Sequence, residues 1–161
     1  MANRRLLGIY LNDHLAGSVV GQDLAKRTIS SNKGNEYGRV LADVLRQIQA
    51  DRKTLEDLMS RLGVRRNGPK QAFAWTLEKL GRLKLNGQVT GYSSLSRLTE
   101  LEGLCVGVEG KLSLWRALRQ VADGDPSLAP VDLDALIESA QSQRETLEQL
   151  RLKAAKEALS G

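Results

Sequence analysis

The chain has 161 residues with a formal net charge of +5, and is 41% hydrophobic, 27% charged and only 4% aromatic. That length supports a single domain over residues 1–161 with a substantial core, and that balance excludes a disordered chain. No apolar run approaches the ~20 residues that a membrane span needs, and a core drawn mainly from Leu and Ala favours helices packed on helices.

Met1 to Arg5 is basic, but the stretch behind it, Leu6 to Leu11, is short and interrupted by Gly8 and Tyr10. A secretory signal needs an unbroken apolar region and a small-residue cleavage site. The expectation is therefore a cytoplasmic protein. Cys105, the single cysteine, has no partner for an internal disulfide, which agrees with a reducing compartment.

The first helix is expected from about Asn3 to Ile29, followed by a turn at Asn32-Lys33-Gly34-Asn35, residues that tolerate left-handed backbone. The second is expected from about Glu36 to Leu62, stopped by Gly63 just past its end. Its apolar stripe runs Tyr37, Leu41, Val44, Ile48, Asp51, Leu55, Leu58, Leu62, in steps that alternate four and three, the seam of a packed bundle helix. Asn67-Gly68-Pro69 breaks the chain and starts a shorter third helix, about Pro69 to Leu85. The fourth helix is expected from about Ser94 to Val121, and Asp123-Gly124-Asp125-Pro126 ends it. A linker loop leads to Pro130. Asp132 is placed to cap a fifth helix that reaches about Ala158. Nothing alternates with the period of two that a half-buried strand requires.

Four of these helices are long, roughly 25 residues or ~38 Å at 1.5 Å per residue. They fall into two antiparallel hairpins joined by a crossover that contains the shorter helix. In its helix lengths and connections the chain resembles the ferritin-like superfamily, and in particular its small bacterial members without assigned function. A plain up-and-down five-helix bundle is the alternative architecture. Gly17 and Gly21 lie one turn apart on the first helix, as do Gly103 and Gly107 on the fourth. Two such pairs suggest close approach of helix backbones, with a cavity over the small residues as the other reading.

One polar cluster stands out. Asp51 occupies a seam position where Leu is expected, and His14, the single histidine, follows Leu7 and Leu11 at seam spacing. Both lie nearly equal distances from the turn at Lys33, so the first hairpin sets them at one height. A buried carboxylate needs a partner, and an imidazole can provide one. In the ferritin-like topology Glu102, Cys105 and Glu109 of the fourth helix and Gln143, Arg144, Glu145 and Glu148 of the fifth fall near the same level. The resemblance implies two metal ions there, held by a Glu from each of two helices and a Glu-x-x-His from each of the others. This chain has no Glu-x-x-His. Its nearest matches are Glu102-x-x-Cys105 and Glu145-x-x-Glu148. Two readings follow. One is a salt-bridged polar layer with no cofactor, for instance Asp51 with His14 or Arg144. The other is an atypical carboxylate-rich site for iron or another divalent metal, with His14, Asp51, Glu102, Glu109, Glu145 and Glu148 as ligands, in a metal-binding or oxidative-stress protein.

Charge is unevenly spread. Between Arg61 and Lys84 seven basic residues face Glu78 alone, so the rest of the chain is nearly neutral. Arg65, Arg66, Lys70, Lys79, Arg82 and Lys84 could present a surface to nucleic acid or another polyanion. The plainer reading is a solvated helix face, with Phe73 and Trp75 on its buried side. Phosphate-cradling loops, zinc spacings and nucleophile elbows are lacking. The expectation is a non-enzymatic bundle that acts through protein interaction and self-association.

Overall fold

The computed structural model describes residues 3–67 and 91–160, and these form four long helices, with no strand among them. They are α1 (Arg4–Ser31), α2 (Glu36–Arg61), α3 (Ser94–Ala122) and α4 (Leu133–Leu159). Their bounds fall within two residues of those expected for the first, second, fourth and fifth helices. The third expected helix, about Pro69 to Leu85, lies outside the described residues.

Each helix begins where a polar side chain can accept from an amide that the first turn leaves unpaired. Asn3 accepts from the Leu6 N–H, Asn35 from Gly38 and Asp132 from Ala135, while Ser93 and Ser96 form a reciprocal capping box. At the end of α2 the Gly63 N–H donates to Ser60 O at 3.1 Å and the Val64 N–H to Met59 O at 2.9 Å, with Gly63 at φ +65°. That is the Schellman termination for which glycine is the favoured residue. The linker after α3 is more ordered than a loop. Pro126–Leu128 makes one turn of 3-10 helix, capped by the buried Asp125, and Leu128 is fully buried.

The α2 stripe is buried as the sequence spacing implies: Tyr37, Leu41, Val44, Ile48, Asp51, Leu55 and Leu58 all face inward. The α3 stripe is Leu101, Leu104, Val108, Trp115 and Leu118, and the α4 stripe is Ala140, Gln143, Leu147, Leu150 and Ala154. The core divides into two apolar clusters. One gathers Leu11, Leu15, Leu55, Leu58, Leu112, Trp115 and Ala140. The other gathers Leu24, Leu41, Ile48, Leu104, Val108, Leu147 and Ala154. The chain passes from one to the other between Ile48 and Leu55 on α2, Val108 and Leu112 on α3, and Ala140 and Leu147 on α4.

Ion pairs fix which ends meet. Arg4 at the start of α1 binds Asp125, just past the end of α3, at 3.0 Å, and Arg27 near the end of α1 binds Glu100 near the start of α3 at 2.8 Å. Arg97 near the start of α3 binds Glu157 near the end of α4 at 2.8 Å, and Glu36 at the start of α2 pairs with Lys153 near the end of α4.

The glycines divide by environment. A Cβ on Gly38 would lie 2.3 Å from the Asn32 carbonyl oxygen, so the first turn of α2 packs directly on the backbone of the preceding turn. A Cβ on Gly103 would meet Leu24 at 2.9 Å, whereas at Gly17, Gly21 and Gly107 it would meet nothing within 4 Å. Close approach therefore accounts for only one of the four paired glycines. Gly38→Ala should destabilise the protein by about 1–3 kcal/mol through overpacking. Gly107→Ala should stabilise it by about 0.5–1 kcal/mol by restricting the unfolded chain and favouring helix. Urea denaturation midpoints check both, and the two substitutions should move them in opposite directions.

Candidate functional site: a buried polar layer

Asp51 is 6% exposed and lies between the two apolar clusters. Its partner is Lys111 of α3, whose Nζ donates to Asp51 Oδ2 at 2.5 Å. Gln143 of α4, 1% exposed, completes the group. Its Nε2 donates to Asp51 Oδ2 at 3.1 Å and to Ser139 Oγ at 3.1 Å, while its Oε1 accepts from Lys111 Nζ. One carboxylate, one ammonium and one amide from three helices thus satisfy one another at mid-height. Burial pushes the Lys111 ammonium below its usual range, and the Asp51 carboxylate opposes that shift. Taking either ion out of water is expensive, so the layer is stable only when it is complete.

Lys111 went unnoticed in the sequence, yet its signal was present. Leu101, Leu104, Val108, Lys111, Trp115 and Leu118 advance in alternating steps of three and four. Lys111 is to α3 what Asp51 is to α2. The stripe also explains where the other expected ligands went. With Leu101, Leu104 and Val108 inward, Glu102 and Glu109 point to solvent. Glu109 pairs with Arg144 at 3.3 Å and Glu102 approaches Arg151 at 3.8 Å. Glu148 binds Arg151 at 2.7 Å, and Glu145 is exposed on α4.

His14 is not Asp51's partner. The α1 seam continues from Leu11 to Leu15, which leaves His14 at its half-buried edge against the Tyr10 ring, with centroids 4.6 Å apart. Burial lowers the His14 pKa from 6.5, and neighbouring Asp13 only partly opposes this. Cys105 is half-buried, and burial aided by Glu148 pushes its thiol up, away from nucleophilic use. Among the described residues no three His, Cys, Asp or Glu side chains group closely enough to hold a metal ion.

Of the expected basic surface, Arg65 and Arg66 are exposed, and Arg66 binds Glu56 at 3.2 Å. Lys70, Lys79, Arg82 and Lys84 lie outside the described residues, as do Phe73 and Trp75. Tyr92, next in chain order, serves the fold. Its hydroxyl accepts from Asn32 at 2.7 Å and donates to Glu100 at 3.0 Å, and burial pushes its pKa up to about 12. No helix among the described residues is long and apolar enough to cross a membrane.

Two outcomes test the layer. Lys111→Met leaves Asp51 buried without its cation and should destabilise the fold by about 3–5 kcal/mol, whereas Asp51→Leu combined with Lys111→Met and Gln143→Leu should return stability to near the starting value. Denaturation of the single and triple variants measures this. For His14, whose folded pKa is depressed, the unfolded state takes up the proton first as pH falls below 6.5. Stability should therefore fall on acidification from that pH until the folded pKa is passed. His14→Gln should flatten the difference in denaturation midpoint between pH 7.5 and 5.5.

No family model matches the chain, and no similar curated protein or solved structure was found.

Proposed function

We propose that this chain is a non-enzymatic ferritin-like helical bundle that acts through protein interaction, as a self-associated oligomer. The observation that carries this reading is Lys111. In a ferritin-like protein the mid-bundle carboxylates bind metal ions. Here the one buried carboxylate at that height among the described residues, Asp51, already holds an ammonium at 2.5 Å, so its charge is spent inside the protein. The ion pairs that join α1 to α3 and α2 to α4 support two antiparallel hairpins linked by a crossover, with α2 and α3 parallel.

An outward strip on α3 and α4 supports self-association. Leu95, Glu102 and Val106 fall close to one line along α3, and Glu102 approaches Arg151, next to Leu152 of α4. Val106 is 72% exposed and Leu159, two turns beyond Leu152, is 71% exposed. Large apolar side chains in such a strip gain by burial against a second copy.

Light scattering coupled to size exclusion, with metal analysis of the same sample, tests the proposal. The expected result is a metal-free oligomer that Val106→Glu with Leu152→Glu converts to monomer without loss of helicity. A monomer at every concentration would overturn the self-association. Stoichiometric iron, manganese or zinc lost on Asp51→Ala would overturn the reading in favour of a metal-binding protein.

A further inference from the structure

The end of the bundle where α1 begins and α2 stops contains a cavity of about 330 Å³. Its construction follows from three local features. The Schellman turn at Gly63 delivers Val64 onto α1, where its methyl carbons would lie 3.6 and 3.8 Å from a Cβ on Gly8, so the chain sits close over bare backbone. Asn12 then clamps the segment that follows. Its Nδ2 donates to the Gly8 carbonyl at 2.8 Å and to the Arg65 carbonyl at 3.1 Å, and its Oδ1 accepts from the Asn67 N–H at 2.7 Å. The backbone of Arg65 is thereby held against α1, on the turn that carries Arg5 and Ile9.

Charge at this cavity is unbalanced. Three arginines, Arg4, Arg5 and Arg65, line it together with Leu62, Val64 and Ile9, and among the described residues no Asp or Glu does. Arg4 is committed to Asp125 and Ser127, each at 3.0 Å. Arg5 and Arg65 have no ion pair among the described residues, whereas Arg66 and Arg119 at the same end each hold a carboxylate. Two unmatched guanidinium groups beside a shared cavity repel each other and attract an anion.

The geometry points to an organic phosphate as the ligand of this cavity, its phosphate between Arg5 and Arg65 and its organic body against Ile9, Leu62 and Val64. Each guanidinium offers a planar fork of N–H donors, which matches two oxygens of a phosphate. A phosphate monoester carries up to two negative charges and enough oxygens for two such forks, whereas a carboxylate satisfies one. The volume exceeds what an inorganic phosphate fills and lies at the lower end of small-ligand pockets. The apolar wall gives the remainder of the ligand a surface to cover. A free nucleotide and a nucleic-acid backbone both present this group.

Calorimetric titration of the full chain at low salt, with adenosine monophosphate, a short single-stranded oligonucleotide and inorganic phosphate as probes, tests the inference. Adenosine monophosphate or the oligonucleotide should bind more tightly than inorganic phosphate. Whichever of the two binds more tightly identifies the source. Binding should weaken about tenfold or more in Arg5→Gln/Arg65→Gln. Ile9→Glu, which sets a carboxylate at the rim while keeping both arginines, should weaken it similarly. Ile9, Arg5 and Arg65 are exposed, so circular dichroism should be unchanged in all of these variants. Arg116→Gln removes an exposed charge from α3 away from the cavity and should leave affinity unchanged. Absence of binding by all three probes would overturn the inference, as would equal losses from Arg116→Gln and the cavity variants.

Discussion

Burying one ammonium with one carboxylate sets the register of this bundle. Asp51 and Lys111 are stable out of water only when α2 and α3 bring them to the same height, and Gln143 satisfies both only when α4 joins at that level. A slide of one heptad along any of the three helices would keep Leu against Leu in the seams. It would also strand a charge in an apolar cluster. Apolar seams with regular steps of three and four tolerate such slides, because their side chains are nearly interchangeable. The polar layer removes that freedom. Its contribution is better described as selection of one alignment than as added stability, since an apolar replacement of the whole group would pack as well.

That division of labour shapes the rest of the core. The two apolar clusters on either side of the layer are each closed by helix crossings of ordinary Leu-rich type. α1 stands apart. The stretch from Ala16 to Gly21 passes the transition between the clusters with only small or short side chains, all half-buried, and brings no charged group to Asp51 or Lys111 among the described residues. Three helices carry the specification and the fourth covers it. The same arrangement makes the centre chemically self-contained. A metal ion would have to displace Lys111 from Asp51 and then find ligands where the nearest Glu side chains, Glu102, Glu109 and Glu148, are already turned toward arginines on the surface.

Much of this was legible in the sequence, because the signals were local or periodic. Helix ends followed from the turn at Asn32-Lys33-Gly34-Asn35, from Gly63 and from Asp132, whose effects act within one turn. The α2 stripe, Asp51 included, followed from its spacing. The partner of Asp51 did not. His14 was chosen because it is a natural hydrogen-bonding mate at matching height, but height is only one coordinate. The other is the angle around the helix, and the α1 seam turns through Leu15 instead. On α3 two stripes compete, one through Glu102, Cys105 and Glu109 and one through Leu101, Leu104 and Val108. The second is the buried one. It brings Lys111 inward and sends Glu102 and Glu109 out. A lysine is also easily read as a surface residue, since its long stem can lie along apolar surface while its charge stays wet. Only the spacing distinguishes Lys111, and that signal means little until Asp51 is known to need a cation.

The two ends of the bundle solve the same problem in opposite ways. Where α1 ends and α3 begins, three cations are answered within one network. Arg27 meets Glu100, Arg97 meets Asn32 and Glu157, Lys153 meets Glu36, and Tyr92 joins Asn32 to Glu100. Arg97 also stacks 4.5 Å over the buried Tyr37 ring, so that end is closed by a network in which removal of one member leaves another unsatisfied. At the other end Asp125 holds Arg4 and Glu56 holds Arg66, but Arg5 and Arg65 face a cavity without counter-charge among the described residues. Folding alone gives no reason to hold Arg65 in place through three hydrogen bonds at Asn12, of which one reaches the Arg65 carbonyl, one the Asn67 N–H and one Gly8 of α1 itself, and then leave its guanidinium without an ion pair among the described residues. Sealing that end would take a single carboxylate at position 9, where Ile9 stands half-exposed instead. An apolar residue beside two arginines that have no ion pair among the described residues suits a ligand with both an anionic group and an apolar body.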